Sequence, residues 1–186
     1  MSSTSAPFGL RPAYHPSGII RPTAMTIETG YNANIYQFQP VKLDADGFVE
    51  GAGDSDPIIG TFMGVEFTDT DGRRRVSNKW TAGTSATDIV AYVTTDPSIV
   101  YEIQADSSLV VGDIGTQMDF DSVTAGSTTT GLSAAMLDVA SKTTSGSALC
   151  RVVNLAPEIN NAWGDAYTIV QVQISQHQFV AEKAAF

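Results

Sequence analysis

Turn-forming pairs recur along this chain, and the runs between them are short or alternating with little helical period. Asp46-Gly47, Asp71-Gly72, Asp96-Pro97, Ala125-Gly126 and Ser145-Gly146 punctuate it, with short apolar or alternating runs between them. Segments 35–43, 58–67, 88–94, 99–105, 117–120, 132–138, 149–155 and 167–179 are the strand candidates. In the last of these, Val170, Val172 and Ile174 alternate with Gln171, Gln173 and Ser175, so one face belongs to a core and the other to solvent or a polar interface. Ile99, Tyr101, Ile103 and Ala105 alternate in the same way. Composition points the same way, since 37 Ser plus Thr and 14 Asp against 6 Glu favour turns and strands over helix. The expected fold is all-β, a small barrel or sandwich with little helix beyond short turns near 107–111 and 133–137.

The first thirty residues read differently. Pro7, Pro12, Pro16 and Pro22 recur among Gly9, Gly18 and several hydroxyl residues, which blocks helix and central strand alike. Yet this stretch carries Phe8, Leu10, Tyr14, Ile19, Ile20 and Met25, which a solvated linker would not need. Either it is a strand folded back on its own domain, or it is an arm that buries these side chains on a neighbouring subunit. The chain is therefore divided into an extended arm over 1–30 and a β-rich core domain over 31–186, with Phe8, Leu10, Arg11, Tyr14, Ile19 and Ile20 as candidate partner-binding residues.

Charge excludes several classes of partner. The formal net charge is -10, and Arg73, Arg74 and Arg75 form the only basic run, so a phosphate-tracking nucleic-acid binder is not expected. The apolar runs are too short for a membrane-spanning helix. The start of the chain shows no secretory signal, so synthesis in a cytoplasm is the expectation. The arginine run has two readings, a solvated strand end balanced by nearby carboxylates or an electrostatic contact to an acidic partner.

Chemistry-bearing motifs are sparse. His15 and His177 lie near opposite ends of the chain, and no nucleophile elbow, phosphate loop or dinucleotide fingerprint occurs. Cys150 stands alone in an apolar run and reads as a small core residue. Asp pairs at 44/46, 54/56, 69/71 and 119/121 could begin a calcium cradle, but Asp-x-Asp-Gly between strands is more often a turn whose Asp caps its own backbone. Trp80 and Trp163, with Tyr31, Tyr36, Tyr92 and Tyr167, could line a sugar site or pack in a core. The expectation is a non-enzymatic protein with no cofactor, no metal and no catalytic residue.

Several segments, taken in order, resemble a known family. They are Ala6-Pro7-Phe8-Gly9-Leu10-Arg11-Pro12; Pro40-Val41-Lys42-Leu43 followed by Asp46-Gly47; and Pro57-Ile58-Ile59-Gly60 through Phe62-Met63-Gly64-Val65-Glu66-Phe67. Asp96-Pro97 leading to Val100-Tyr101-Glu102-Ile103-Gln104-Ala105-Asp106, then Asp113-Ile114-Gly115 and Ser175-Gln176-His177-Gln178, complete the set. Together they resemble the capsid decoration proteins of tailed bacteriophages, also called cement or head-stabilisation proteins. The resemblance implies a β-rich structural protein on the outer surface of the virion, commonly a homotrimer, that bridges major capsid protein subunits and stabilises the head. Two other classes remain beside it, another virion component such as a minor head or tail protein and a carbohydrate-binding β-sandwich.

Overall fold

The alternating runs settle into two antiparallel sheets, each over its own apolar cluster. The structure is a computed structural model, and it describes residues 2–181. In chain order the strands are β1 (Arg11–Tyr14), β2 (Thr23–Met25), β3 (Pro40–Leu43), β4 (Val49–Gly51), β5 (Gly60–Asp69), β6 (Arg74–Ser77) and β7 (Ala86–Thr94). They continue with β8 (Val100–Gln104), β9 (Gln117–Met118), β10 (Phe120–Asp121), β11 (Met136–Leu137), β12 (Cys150–Leu155) and β13 (Ile169–Ile174). One sheet runs β1-β8-β13-β12-β9 and the other β2-β7-β5-β3-β4, with β6 paired to the far half of β5. β10 and β11 form a separate small ribbon. The fold is all-β, and among the described residues neither sheet closes into a barrel.

The period-2 pattern accounts for the first core. Ile99, Tyr101, Ile103 and Ala105 share it with Val170, Val172 and Ile174, as the alternation requires, and Cys150 is fully buried beside them. Burial pushes the Cys150 thiol well above its ordinary range, so it is inert packing rather than a nucleophile. The second core gathers Ile27, Ile35, Val41, Phe62, Val93 and Trp80, with Phe67 meeting the Trp80 ring edge-on at 5.7 Å between centroids.

The turn chemistry matches its sequence signals. Asp44 Oδ1 accepts from the Asp46 and Phe48 amides at 2.9 and 2.8 Å, and Gly47 takes φ 87° to close the β3–β4 hairpin. The Asp71-Gly72 turn between β5 and β6 has the same construction, with Asp71 Oδ1 accepting from the Arg73 amide at 3.0 Å. Several expected strands shrink. Only Pro40–Leu43 of 35–43 is strand, only Met136–Leu137 of 132–138, and only Ile169–Ile174 of 167–179. The remainder joins by isolated bridges such as Ile35 with Trp80 and Gln37 with Leu132. The helical turn expected at 133–137 is absent, because this stretch pairs with 120–121 instead. Short 3-10 turns occur at Val111–Asp113 and Val139–Ser141.

The boundary expected at residue 30 does not separate an arm from a body. β1 pairs with β8 through Arg11–Glu102, Pro12–Tyr101 and Tyr14–Val100, and β2 pairs with β7. Leu10 is fully buried in the first core and Ile27 in the second. The proline pattern is compatible with this because β1 and β2 are edge strands, where a missing amide does not break a ladder. Leu10→Ala is therefore expected to cost about 2 to 5 kcal/mol of stability. Urea denaturation checks this, with a lowered midpoint at unchanged slope as the expected result.

Candidate interaction surface

Ser2 bonds Tyr167 and Ala6 bonds Gln104, and the chain then turns into the core at a glycine. Gly9 has φ 81°, and a Cβ there would lie 2.4 Å from the Phe38 carbonyl oxygen, so this turn admits no other residue without displacement. The turn delivers the Leu10 amide to the same carbonyl at 2.8 Å and drops the Leu10 side chain into the core. Arg11 then lies over the Phe8 ring, 4.6 Å from its centroid. Its Nη2 donates to Glu102 at 2.7 Å and to Glu158 at 2.6 Å. Burial alone would lower the Arg11 pKa, but these two carboxylates carry it above the usual arginine value.

Beyond β1 the backbone crosses from one sheet to the other, and here it becomes exposed. Tyr14 is 46% and Ile19 55% exposed, while Ile20 turns back against the first core. A cavity of ≈ 380 Å³ opens beside the crossover, lined by His15, Ser17, Ile19, Arg21, Asp96 and Ile99. Asp96, on the β7–β8 connection, faces His15 Nε2 at 3.3 Å and accepts from the Ser98 amide at 2.8 Å. That amide first, with His15 adding to it, holds the Asp96 carboxyl below the ordinary aspartate range.

A Ser-His-Asp contact thus forms that spacing alone did not reveal, because Asp96 is distant in sequence. Ser17 Oγ lies 2.6 Å from His15 Nδ1, and the Ser17 amide donates to the same nitrogen at 3.0 Å. With Nδ1 accepting the amide, the ring proton belongs on Nε2, toward Asp96. The contact is a local two-residue turn. Gly18, whose amide is nearest in sequence, donates to the His15 carbonyl at 2.8 Å and so is not free to stabilise an oxyanion.

The candidate residues therefore divide. Leu10 and Ile20 are consumed by the chain's own first core, and Arg11 is held by two of its own carboxylates. Tyr14 and Ile19 face outward. The arginine run is engaged at home: Arg73 reaches Asp71 at 3.7 Å, Arg74 reaches Glu66 at 3.0 Å, and Arg75 reaches Asp69 at 2.6 Å and Asp71 at 3.1 Å. Of the two readings of this run, the balanced strand end is the one the geometry presents. Arg21, which no basic cluster flagged, has neither a hydrogen bond nor an ion pair from its side chain among the described residues. Every other described Arg or Lys has a partner.

The remaining candidates serve as structure. Asp54 Oδ1 accepts from the Val123 amide and Asp119 Oδ1 from the Leu149 amide, each at 3.1 Å. No group of three or more His, Cys, Asp or Glu among the described residues is placed to share a metal ion. His177 is buried, with Nε2 3.1 Å from the Thr95 carbonyl oxygen. Trp80 is buried and donates from Nε1 to the Tyr31 carbonyl, while Trp163 packs on the first core.

The lowered Asp96 pKa fixes the sign of a pH effect. A group whose folded value lies below its unfolded one adds stability above about pH 4 and loses it as pH falls through the folded value. Asp96→Asn is expected to be less stable than the parent at pH 6. The gap should narrow as the pH falls below about 4 and the carboxyl takes up its proton, as read from urea midpoints.

No family model matches the chain, and comparison with curated proteins and with solved structures finds no match to either.

Proposed function

We propose that this chain is a non-enzymatic structural component of a tailed-phage virion, binding the outer surface of the head and bridging neighbouring major capsid protein subunits. The observation that carries the reading is the series of segments, in order along the chain, that resemble capsid decoration proteins. The crossover at 14–22 supports it, since it presents Tyr14, Ile19 and Arg21 outward from a frame tied into both sheets. A surface of this kind suits attachment by area and repetition, because symmetric copies each add a modest contact. Self-association, as a homotrimer, belongs to the same proposal.

The carbohydrate reading draws less support, because a sugar platform needs an exposed aromatic face. Trp80 is wholly buried and Trp163 is packed against the first core.

The test is to mix purified protein with heads that lack decoration. The expected outcome is saturable binding at a copy number set by capsid symmetry, with heads that rupture at a higher temperature. Heads that neither bind the protein nor gain thermal resistance would remove this reading, and retention on a glycan array would favour the sugar-binding one.

A further inference from the structure

The cavity beside Arg21 is a socket with an unsatisfied centre. Ile19 supplies the exposed apolar wall above Ile99, which is buried in the first core, and the guanidinium of Arg21 has no partner among the described residues of a chain carrying net charge -10. Asp96, the like charge an incoming carboxylate would meet there, is already turned to His15 Nε2 and the Ser98 amide. The complementary ligand is a carboxylate with an adjacent aliphatic side chain.

The same chain displays such a group at the turn Pro157-Glu158-Ile159-Asn160. Ile159 is 91% exposed, the most exposed large apolar side chain among the described residues. The turn is nevertheless rigidly made. Asn160 sits at φ 68°, and the Asn161 side chain donates to the Ala156 and Ile169 carbonyls and accepts from the Ile169 amide. A well-braced turn that projects an isoleucine into solvent is preorganised for docking, because little freedom remains to be lost. Glu158 gives one oxygen, Oε1, to Arg11 and leaves Oε2 without a hydrogen bond among the described residues. Another exposed apolar turn, Val110–Ile114, lacks this pairing, since Asp113 is buried against Lys142 and the Val110 amide.

Knob and socket sit at opposite ends of β1. Glu158 meets Arg11 where the strand begins, and His15 follows where it ends. Four extended residues span about 13 Å, so the knob does not fill the socket of its own chain. Direct edge pairing of β1 is also discouraged, because Pro12 removes an amide and the strand is bulged between Pro12 and Tyr14. We infer that Glu158 and Ile159 of one copy dock into the Arg21 socket of a second copy, with Ile159 against Ile19 and Glu158 on Arg21. Every copy carries one knob and one socket at different places, so the contact is head-to-tail, the kind that closes a ring when the rotation allows. Exposed Tyr14 lies between the two and extends the contact toward the roughly 800 Å² per partner of a stable interface.

Sedimentation of the full chain tests this without capsids. Arg21→Glu and Ile159→Asp should each weaken self-association about tenfold or more and leave the β-sheet circular dichroism unchanged, since both residues are exposed. An equimolar mixture of the two variants should re-form pairs, because one carries an intact knob and the other an intact socket. Arg21→Glu combined with Glu158→Arg should restore association that each change alone removes. Monomeric parent protein at tens of micromolar, retention of the parent size by either single variant, or no recovery in the reversed pair overturns the inference. The contact rests on the self-association in the proposed function, and a monomeric parent would remove the homotrimer there too, whereas head binding is a separate assay whose failure leaves this contact standing.

Discussion

The structure depends on the closure of the chain's beginning over both sheets. Gly9 passes the Phe38 carbonyl, Leu10 fills the first core, β1 adds an edge to β8 and β2 adds an edge to β7, all within a short stretch. The β1 partner Glu102 lies 91 residues away in sequence from Arg11. Such non-local pairing costs loop-closure entropy, which the burial of Leu10 and the two added edges must offset, and it ties the two halves together. What reads as an appendage by composition is the clasp of the domain.

The two cores meet across a polar seam. Tyr101 Oη donates to the Thr94 carbonyl at 3.3 Å, and burial raises the phenol well above its usual range, keeping it a donor. His177 meets the Thr95 carbonyl, and the Gln178 side chain accepts from the Leu43 amide at 2.8 Å while donating to the Leu43 carbonyl at 3.2 Å. Because such groups are costly to leave unpaired, sliding one sheet over the other would break several bonds at once. The seam therefore joins the halves rigidly, and the crossover at 14–22 is laid over a fixed surface.

Legibility in the sequence followed the physics of each element. β8 and β13 were readable because one face of each is buried, which imposes strict alternation. β4 and β6 were not, since Val49-Glu50-Gly51 buries Val49 but is too short to show a period, and Arg74-Arg75-Val76-Ser77 is a short edge whose side chains largely face water. The arm divided for the same reason. Proline density reports extended backbone truthfully, but whether Leu10 meets its own core or a neighbour's is a tertiary fact that spacing does not encode. At the candidate surface the signal was misleading in a definite way: a run of three arginines draws the eye, while the carboxylates that neutralise it come partly from β5 and partly from the turn. Arg21 is single, flanked by Ile20 and Pro22, and only its lack of a partner distinguishes it.

That contrast bears on how an acidic protein holds anything. Most of its described cations are engaged by its own carboxylates, with Lys79 on a backbone carbonyl and Arg21 without a partner, so at net charge -10 the exterior field is negative and steers other acidic surfaces away. Within about 8 Å at physiological salt this repulsion still acts, and beyond it screening leaves little attraction to exploit. Attachment must then come from short-range burial of apolar side chains, with charge used locally to select orientation. A lone arginine framed by isoleucines is suited to that division of labour, because the apolar walls supply area and lower the local dielectric in which the single charge acts. An exposed arginine triplet balanced by its own carboxylates offers neither.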